Sequence, residues 1–322
     1  MYKTVNIIIL YFGCFPNYFQ LFLNSCSKNP TIDWTIITDN ALDYNYPTNV
    51  RKVKMSFDEV KDIISCKFEF NVTIHNVHKL CEYKPAYGYI FDDLVNGYDF
   101  WGYGDIDLIY GDMRHYLTDE VLAYDKIFTL GHLSLVRNTE IINKLFMKTV
   151  EGRELYREAF TSEDNYNFDE EFFGKPNINT IFKEYGYKVW DKSFAADIYT
   201  KSNYFLIDKG DGTPEKRNNA VFVWNGGVLE RYVKKENGLI EEEYMYIHLQ
   251  KRAMDVQVSG TEDIYKIIPN SFESLEVDLK LIKKEFDYIR KKRPNNQYLK
   301  IRFHNLKIKI REYARHVKLC FN

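Results

Sequence analysis

The 322-residue chain opens on an apolar run, Val5 to Phe12 (VNIIILYF), broken by Gly13 and Pro16. A strand that is apolar on both alternating faces must be covered on both sides, which points to a parallel sheet sandwiched by helices. The next segments keep to that plan. Pro16 to Ser27 places apolar residues at helical spacing, and Asp33 to Thr38 (DWTIIT) reads as a second strand ending at Asp39-Asn40. Ser56 and Glu59 form a capping-box pattern that opens the helix SFDEVKDIISCKF. Pro85, at a first helical turn, starts PAYGYIFDDLVNG, and Gly97 ends it. That helix feeds a strand over Asp99 to Tyr103.

Further strands are expected at Asp125 to Leu130 and at His132 to Val136, with Asn138 capping the helix NTEIINKLFMKTV. FDEEFF introduces another helix running to about Tyr185. Ala220 to Trp224 and Val228 to Val233 alternate and are joined by Asn225-Gly226-Gly227, a hairpin signal. Glu242 to His248 returns to an extended pattern. The chain has no internal repeat and no Gly/Ser- or Pro-rich linker, so residues 1–258 are expected to form one α/β domain. Residues 259–322 are expected to be a basic extension, helical from Ser271 onward.

Charge supports that division. Residues 279–322 carry fourteen Lys/Arg against three Asp/Glu, a net of +11. The whole chain carries −2, so the preceding 278 residues carry −13. A basic tail of this kind either docks on the acidic main domain or meets an anionic partner such as a membrane surface. An acidic main domain disfavours nucleic acid as a partner. The five cysteines are scattered without metal or disulfide spacing, which suits a reducing compartment. The N-terminal apolar run is too short for a membrane span and has no small-residue cleavage site, so a cytoplasmic location is expected.

The chemistry concentrates in Tyr98 to Met113, YDFWGYGDIDLIYGDM. Asp105 and Asp107 stand one residue apart where the strand ends, and strand alternation would point both the same way. Two like charges that close repel unless a cation lies between them. Their hard oxygens suit Mg²⁺ or Mn²⁺, which can bridge to phosphate. An exposed Asp-x-Asp turn is the plainer alternative. In open α/β sheets ligands gather at the C-terminal strand ends. Tyr11 and Phe12, Asp39 and the Asp pair would converge there.

The string YKPAYGYIFDDLVNGYDFWGYGDIDLIYGDM resembles the metal-dependent glycosyltransferases of the GT-A fold encoded in bacterial capsule, exopolysaccharide and O-antigen loci, with Asp105-Ile106-Asp107 as their DxD motif. The resemblance runs to about residue 255. It implies a GT-A-like, Rossmann-like mixed sheet, mostly parallel and flanked by helices. It also implies a nucleotide-sugar donor, UDP-linked by default, and a glycan or polyprenyl-diphosphate-linked acceptor. Asp107, with Asp105 directly or through water, would hold Mn²⁺ or Mg²⁺ against the donor diphosphate. Lys84 matches a basic residue that opens the helix before the DxD strand and reaches back to the site; a solvated lysine is the alternative. Tyr-Ile-His248-Leu-Gln-Lys251-Arg252 looks like the late element in which a histidine completes the metal shell and basic residues grip phosphate, although a lone histidine is often structural. Asp169-Glu170-Glu171 sits where these folds often place a catalytic base, and Asp169 or Glu170 would fill that role in an inverting enzyme. Acids also gather at a helix N-terminus for dipole reasons alone. His132, in GHLSLVRN, is the expected sugar contact.

Two rival classes fit parts of the pattern. A phosphatase of the haloacid-dehalogenase type also uses Asp-x-Asp after a strand, but usually near the N-terminus. A non-catalytic carbohydrate-binding protein with a retired metal site is the other. Turnover of a nucleotide sugar separates all three.

Overall fold

The computed structural model describes residues 2–171, 174–202, 204–210, 212–216, 219–235, 238–275, 286, 299–303, 306–307 and 309–310. They belong to two compact units, Met1–Phe194 and Ala195–Asn322. This division differs from the expected boundary at residue 258, which falls within a single sheet of the second unit.

The first unit is built on strands β1 (Val5–Leu10), β2 (Ile32–Thr38), β3 (Val50–Lys54), β4 (Phe100–Gly104), β5 (Leu108–Tyr110), β6 (Lys126–Ile127), β7 (Leu133–Arg137) and β8 (Val189–Trp190). Seven of them form one sheet in the order β3-β2-β1-β4-β7-β6-β8. Strands β3, β2, β1 and β4 run parallel, β7 is antiparallel to both β4 and β6, and β8 is parallel to β6. The unit is thus a mixed, mostly parallel sheet flanked by helices. As its apolar run required, β1 is central, and Ile7, Ile8 and Ile9 are fully buried.

Helix α1 (Phe19–Ser27) follows β1, and α2 (Phe57–Cys66) follows β3. The capping box of α2 forms as read. Ser56 accepts from the Glu59 N–H at 3.2 Å, and the Glu59 carboxylate accepts from the Ser56 N–H at 2.7 Å. The next element departs from expectation. A 3₁₀ helix over Val77–Ala86 comes first, with Pro85 inside it, and two short helices follow, α3 (Tyr87–Ile90) and α4 (Asp92–Val95). Lys84 therefore lies in the last turn of a 3₁₀ helix rather than at a helix start. Asn76 caps that helix by accepting from the N–H groups of His78 and Lys79, a start signal nine residues upstream of Pro85.

Two more caps move. Thr139, not Asn138, caps the helix Glu140–Asn143. The Asn138 amide instead donates to the carbonyls of Val95 and Tyr98, tying α4 to the entry of β4. Asn177 caps the helix Ile178–Glu184, so the acids of FDEEFF precede that helix by a whole loop and do not open it.

In the second unit, β9 (Ala195–Asp197) pairs in parallel with β13 (Tyr246–His248). Strands β10 (Asn219–Asn225), β11 (Val228–Lys235) and β12 (Gly238–Tyr244) form a meander whose first turn is the expected Gly226-Gly227 hairpin. The same sheet includes β14 (Asp255–Val256), β15 (Ile264–Ile268) and β16 (Ser271–Ser274). Ser271 onward was expected to be helical. Ser271–Ser274 is a strand instead, because Phe272 alternates inward opposite Ile267. Val221, Val223, Tyr232, Ile268 and Phe286 form one buried apolar cluster in this unit. Most of the expected basic helical extension lies outside the described residues; 299–303, 306–307 and 309–310 are helical. Among the described residues no helix is long and apolar enough to cross a membrane.

Close packing of α3 on the sheet depends on one glycine. A Cβ at Gly88 would overlap the Trp101 indole, and that ring is fixed by its Nε1–H donating to Asn143 Oδ1 at 2.8 Å. Gly88→Ala should therefore cost about 1–3 kcal/mol, the usual scale for overpacking. A lower urea midpoint at an unchanged m-value would show it; an unchanged midpoint would mean that the helix shifts freely.

Candidate functional site

Asp105 follows the last residue of β4. Its N–H donates to the His132 carbonyl at 3.0 Å, extending the β4–β7 ladder by one step. The strand itself ends at Gly104, so the alternation expected to aim both acids alike does not extend over them. Asp107 is buried, whereas the Asp105 side chain is about a third exposed.

Lys84 meets this pair from the 3₁₀ helix. Its ammonium donates to Asp105 Oδ1 at 2.8 Å and to the Gly131 carbonyl at 2.9 Å, and it lies 3.9 Å from Asp169 Oδ2. Burial alone would pull the Lys84 pKa down. Asp105, with Cys81 and Asp169 adding to it, holds it well above its usual value. The expected reach of Lys84 back to the DxD segment is thus present, and it extends to the acid cluster.

Asp169 is buried. Burial pushes its carboxyl up to about 8; Lys84 opposes this, while Glu170, Glu82 and Asp105 add to it. Glu170 accepts from the Gly131 N–H at 3.3 Å and from the Asn167 amide at 3.3 Å. Gly131 makes this approach possible, since a Cβ there would stand 2.5 Å from Asp169 Oδ2.

Residues 128–132 form the junction between these groups, and each of their carbonyls is taken. Phe128 accepts from Lys126 Nζ at 2.6 Å, and Thr129 from the Glu171 N–H at 3.0 Å. Leu130 accepts from Ser134 Oγ at 2.9 Å, Gly131 from Lys84, and His132 from Asp105. Lys126 is fully buried, and burial draws its ammonium down to about 7. Phe128 carries a left-handed φ of 70°, a strain of order 1–3 kcal/mol. The His132 side chain is buried.

The ends of β1 and β2 come to the same edge. Asp39 Oδ1 accepts from the Gly13 N–H at 2.8 Å, and Asn40 donates to the Gly13 carbonyl at 2.9 Å. Tyr11 stacks on Phe15, whereas Phe12 packs edge-on to Phe57 of α2. Burial raises the Tyr11 and Tyr18 phenols, and the Asp107 charge raises both further. Asp107 is therefore within electrostatic reach of both rings.

By its sequence the chain can be placed in a family. It matches, over residues 7–276, the family of unknown function DUF6625. The chain belongs to DUF6625. No curated protein matches it in sequence. Among solved structures it is similar to the galactosyltransferase LgtC in complex with donor and acceptor sugar analogues, at 10% identity over 60% of this chain and 75% of that one, with a TM-score of 0.33. An active-site mutant of LgtC aligns at 9% identity over 90% and 96% of the two chains, with a TM-score of 0.39. A glycosyltransferase involved in glycosylation of the major capsid of PBCV-1 aligns at 11% identity over 61% and 85%, with a TM-score of 0.33.

The DUF6625 chain places the remaining expected residues in its second unit. His248 Nδ1 lies 2.9 Å from Asp197 Oδ1, which also accepts from the Gln250 amide at 2.6 Å. A carboxylate on one ring nitrogen is the arrangement that orients metal-ligating histidines and directs the other nitrogen to the ion. Gln250 and Lys251 both hold left-handed φ, 56° and 53°. Lys251 is exposed, but Arg252 is not. The Arg252 guanidinium donates to the Ser202 carbonyl at 2.9 Å and covers the Phe205 ring. A phosphate grip was expected of Arg252; its buried guanidinium instead fastens the 250–252 corner.

By donor chemistry Asp105 and Asp107, whose carboxylate oxygens are hard, fit a divalent cation. Sequence reasoning missed Glu82, Lys126 and Gly131. A charge pair, Glu82-x-Lys84, inside an otherwise aromatic segment was the available signal.

Asp169 makes stability pH-dependent. Its folded pKa lies above its unfolded one, near 4. Between the two values the native state binds the extra proton, so its contribution to stability falls as pH rises from about 4 to about 8. Asp169→Asn removes that titration, and it should flatten the loss and gain on wild type toward pH 8. Urea midpoints across pH check this, and parallel curves for the two proteins would contradict it.

Proposed function

We propose that this protein is a metal-dependent glycosyltransferase that moves a hexose from a nucleotide-sugar donor, UDP-linked by default, to a glycan or polyprenyl-diphosphate-linked acceptor in bacterial surface-polysaccharide synthesis. One observation carries the reading. Asp105, at the end of a central parallel strand, shares the buried Lys84 with Asp169, a carboxyl whose pKa is raised. A diphosphate-binding cation and a proton acceptor are thus linked through one ammonium.

In this reading Asp105 and Asp107 hold Mn²⁺ or Mg²⁺, with His248 the further ligand expected from the sequence. The ion, when bound, neutralises charge on the leaving diphosphate. Lys84 adds a fixed positive charge beside Asp105, already oriented and costing no reorganisation. Tyr11, Asp39 and Lys251 are assigned to the donor and His132 to the sugar. Asp169 or Glu170 takes the acceptor's proton. Asp169 has the raised pKa that suits a base working near neutrality, provided it is deprotonated in the loaded site.

The decisive experiment is a screen of nucleotide sugars with Mn²⁺, scored by released nucleotide and by thermal stabilisation. Asp107→Asn should nearly abolish release and remove stabilisation by Mn²⁺ with the nucleoside diphosphate, with the fold intact. Near-normal, metal-dependent turnover in that variant would discard the reading. Asp169→Asn or Glu170→Gln should cost roughly 10²–10⁴ in rate with donor binding kept. Two mild phenotypes would remove the base assignment.

The tail belongs to the same proposal. Leu299, Phe303, Leu306 and Ile310 are exposed at helical spacing, among Lys300, Arg302, Lys307 and Lys309. Apolar and basic residues together suit an anionic leaflet, each basic residue contributing about 1 kcal/mol. Phe286 is a core residue, so the useful truncation ends at Tyr298. Full-length protein should sediment with anionic liposomes in low salt and the truncated chain should not. Equal sedimentation would exclude the tail as an anchor.

A further inference from the structure

The same 3₁₀ helix that carries Lys84 also grips the loop leading to Asp169. Glu82 Oε1 accepts from the N–H groups of Tyr166 at 2.6 Å and Asn167 at 3.1 Å, and Oε2 accepts from the Phe168 N–H at 2.9 Å. Three residues earlier, Lys79 Nζ donates to the Asp164 carbonyl at 2.7 Å. In a 3₁₀ helix side chains at i and i+3 eclipse, so Lys79 and Glu82 leave one face together and clamp one loop. Both are buried, at 0% and 3% exposure. Lys84 is two residues on and leaves from another face, toward Asp105 and Gly131.

A buried carboxylate is costly unless its oxygens are satisfied. Three backbone N–H donors satisfy this one, and they lie on three consecutive residues directly before Asp169. The clamp holds a turn in which Asn167 has a left-handed φ of 63°. Asn167 is also the residue whose amide reaches Glu170 Oε1. The clamp thus acts on both acids of the cluster from the N-terminal side, while the Tyr103 hydroxyl donates to the Asp169 carbonyl at 3.0 Å.

We propose that Glu82 is a positioning residue for the reaction: by binding the amides of residues 166–168 it sets the placement of Asp169 and Glu170 relative to Lys84 and Asp105. This rests on the glycosyltransferase reading above and deepens it. Glu82 touches no reacting atom in this scheme. The groups facing Asp169 are Lys84, Glu170, Glu82, Asp105, Lys126 and the phenols of Tyr87 and Tyr103. Glu82 adds negative charge to that surround as well as geometry.

The test is Glu82→Gln. A Gln keeps one acceptor oxygen but turns the other position into a donor, so in either flip an N–H faces an N–H. Hydrogen exchange at residues 166–168, UDP release from a panel of UDP-hexoses with Mn²⁺, and thermal stabilisation by UDP with Mn²⁺ are read together. The expected result is faster exchange at those amides and at least a tenfold lower rate of UDP release, with stabilisation by UDP and Mn²⁺ retained. Lys79→Met should move exchange at Asp164 and its neighbours in the same direction with a smaller loss of rate. Unchanged exchange, or equal loss of rate and of UDP–Mn²⁺ stabilisation, would overturn the inference, since the second pattern marks a general loss of fold. If wild-type protein responds to UDP with Mn²⁺ and Glu82→Gln matches it in rate, this inference alone fails. If wild-type protein gives neither release nor stabilisation, the glycosyltransferase reading fails and the inference falls with it.

Discussion

The first unit depends on one buried ammonium. Lys84 meets Asp105, the Gly131 carbonyl and, at longer range, Asp169. A buried cation is tolerated only when its partners are present and well placed, so the 3₁₀ helix, the end of β4, residues 128–132 and the acid loop must arrive together. Each is anchored separately. The β4–β7 ladder fixes Asp105, Lys126 and Ser134 fix the carbonyls of Phe128 and Leu130, and Glu82 fixes the loop before Asp169. The cost of burying charge is thereby spread over a network in which Lys84, Lys126 and Glu82 each have hydrogen-bond partners.

The sheet was legible in the sequence because its signal is local. Val5 to Phe12 reads as a strand covered on both faces, and Val5–Leu10 of it is one. The Ser56/Glu59 box and the Asn225–Val228 hairpin form as read, since both are short-range backbone chemistry. Errors came where a residue with good local credentials was taken up by a distant partner. Asn138 could cap the following helix, but Val95 and Tyr98 offer it two carbonyls across the sheet. Pro85 suits a first turn, but Asn76 opens the helix earlier with two backbone bonds.

The site was legible in part, for the same reason. Asp105, Asp107 and Lys84 stand in a strand–helix–strand string whose order in sequence mirrors their proximity. Gly131 and Glu82 carry no motif. Their roles appear only when residues 39 and 86 positions away fold against them, as Glu170 does on Gly131 and Phe168 on Glu82. Arg252 failed the other way: a basic residue beside a histidine looks like a phosphate contact until its guanidinium is found on the Ser202 carbonyl.

The 3₁₀ character of Val77–Ala86 also bears on how this segment can vary. With three residues per turn, each residue advances the side-chain direction by about 120°. Substituting a residue changes what one face carries. Inserting or deleting one between Lys79 and Ala86 would rotate everything beyond it by a third of a turn, aiming those side chains away from their present partners. Drift in side-chain identity is therefore cheaper here than any change of length. The spacing Lys79-x-x-Glu82-x-Lys84 acts as a ruler, and its length carries more information than its composition.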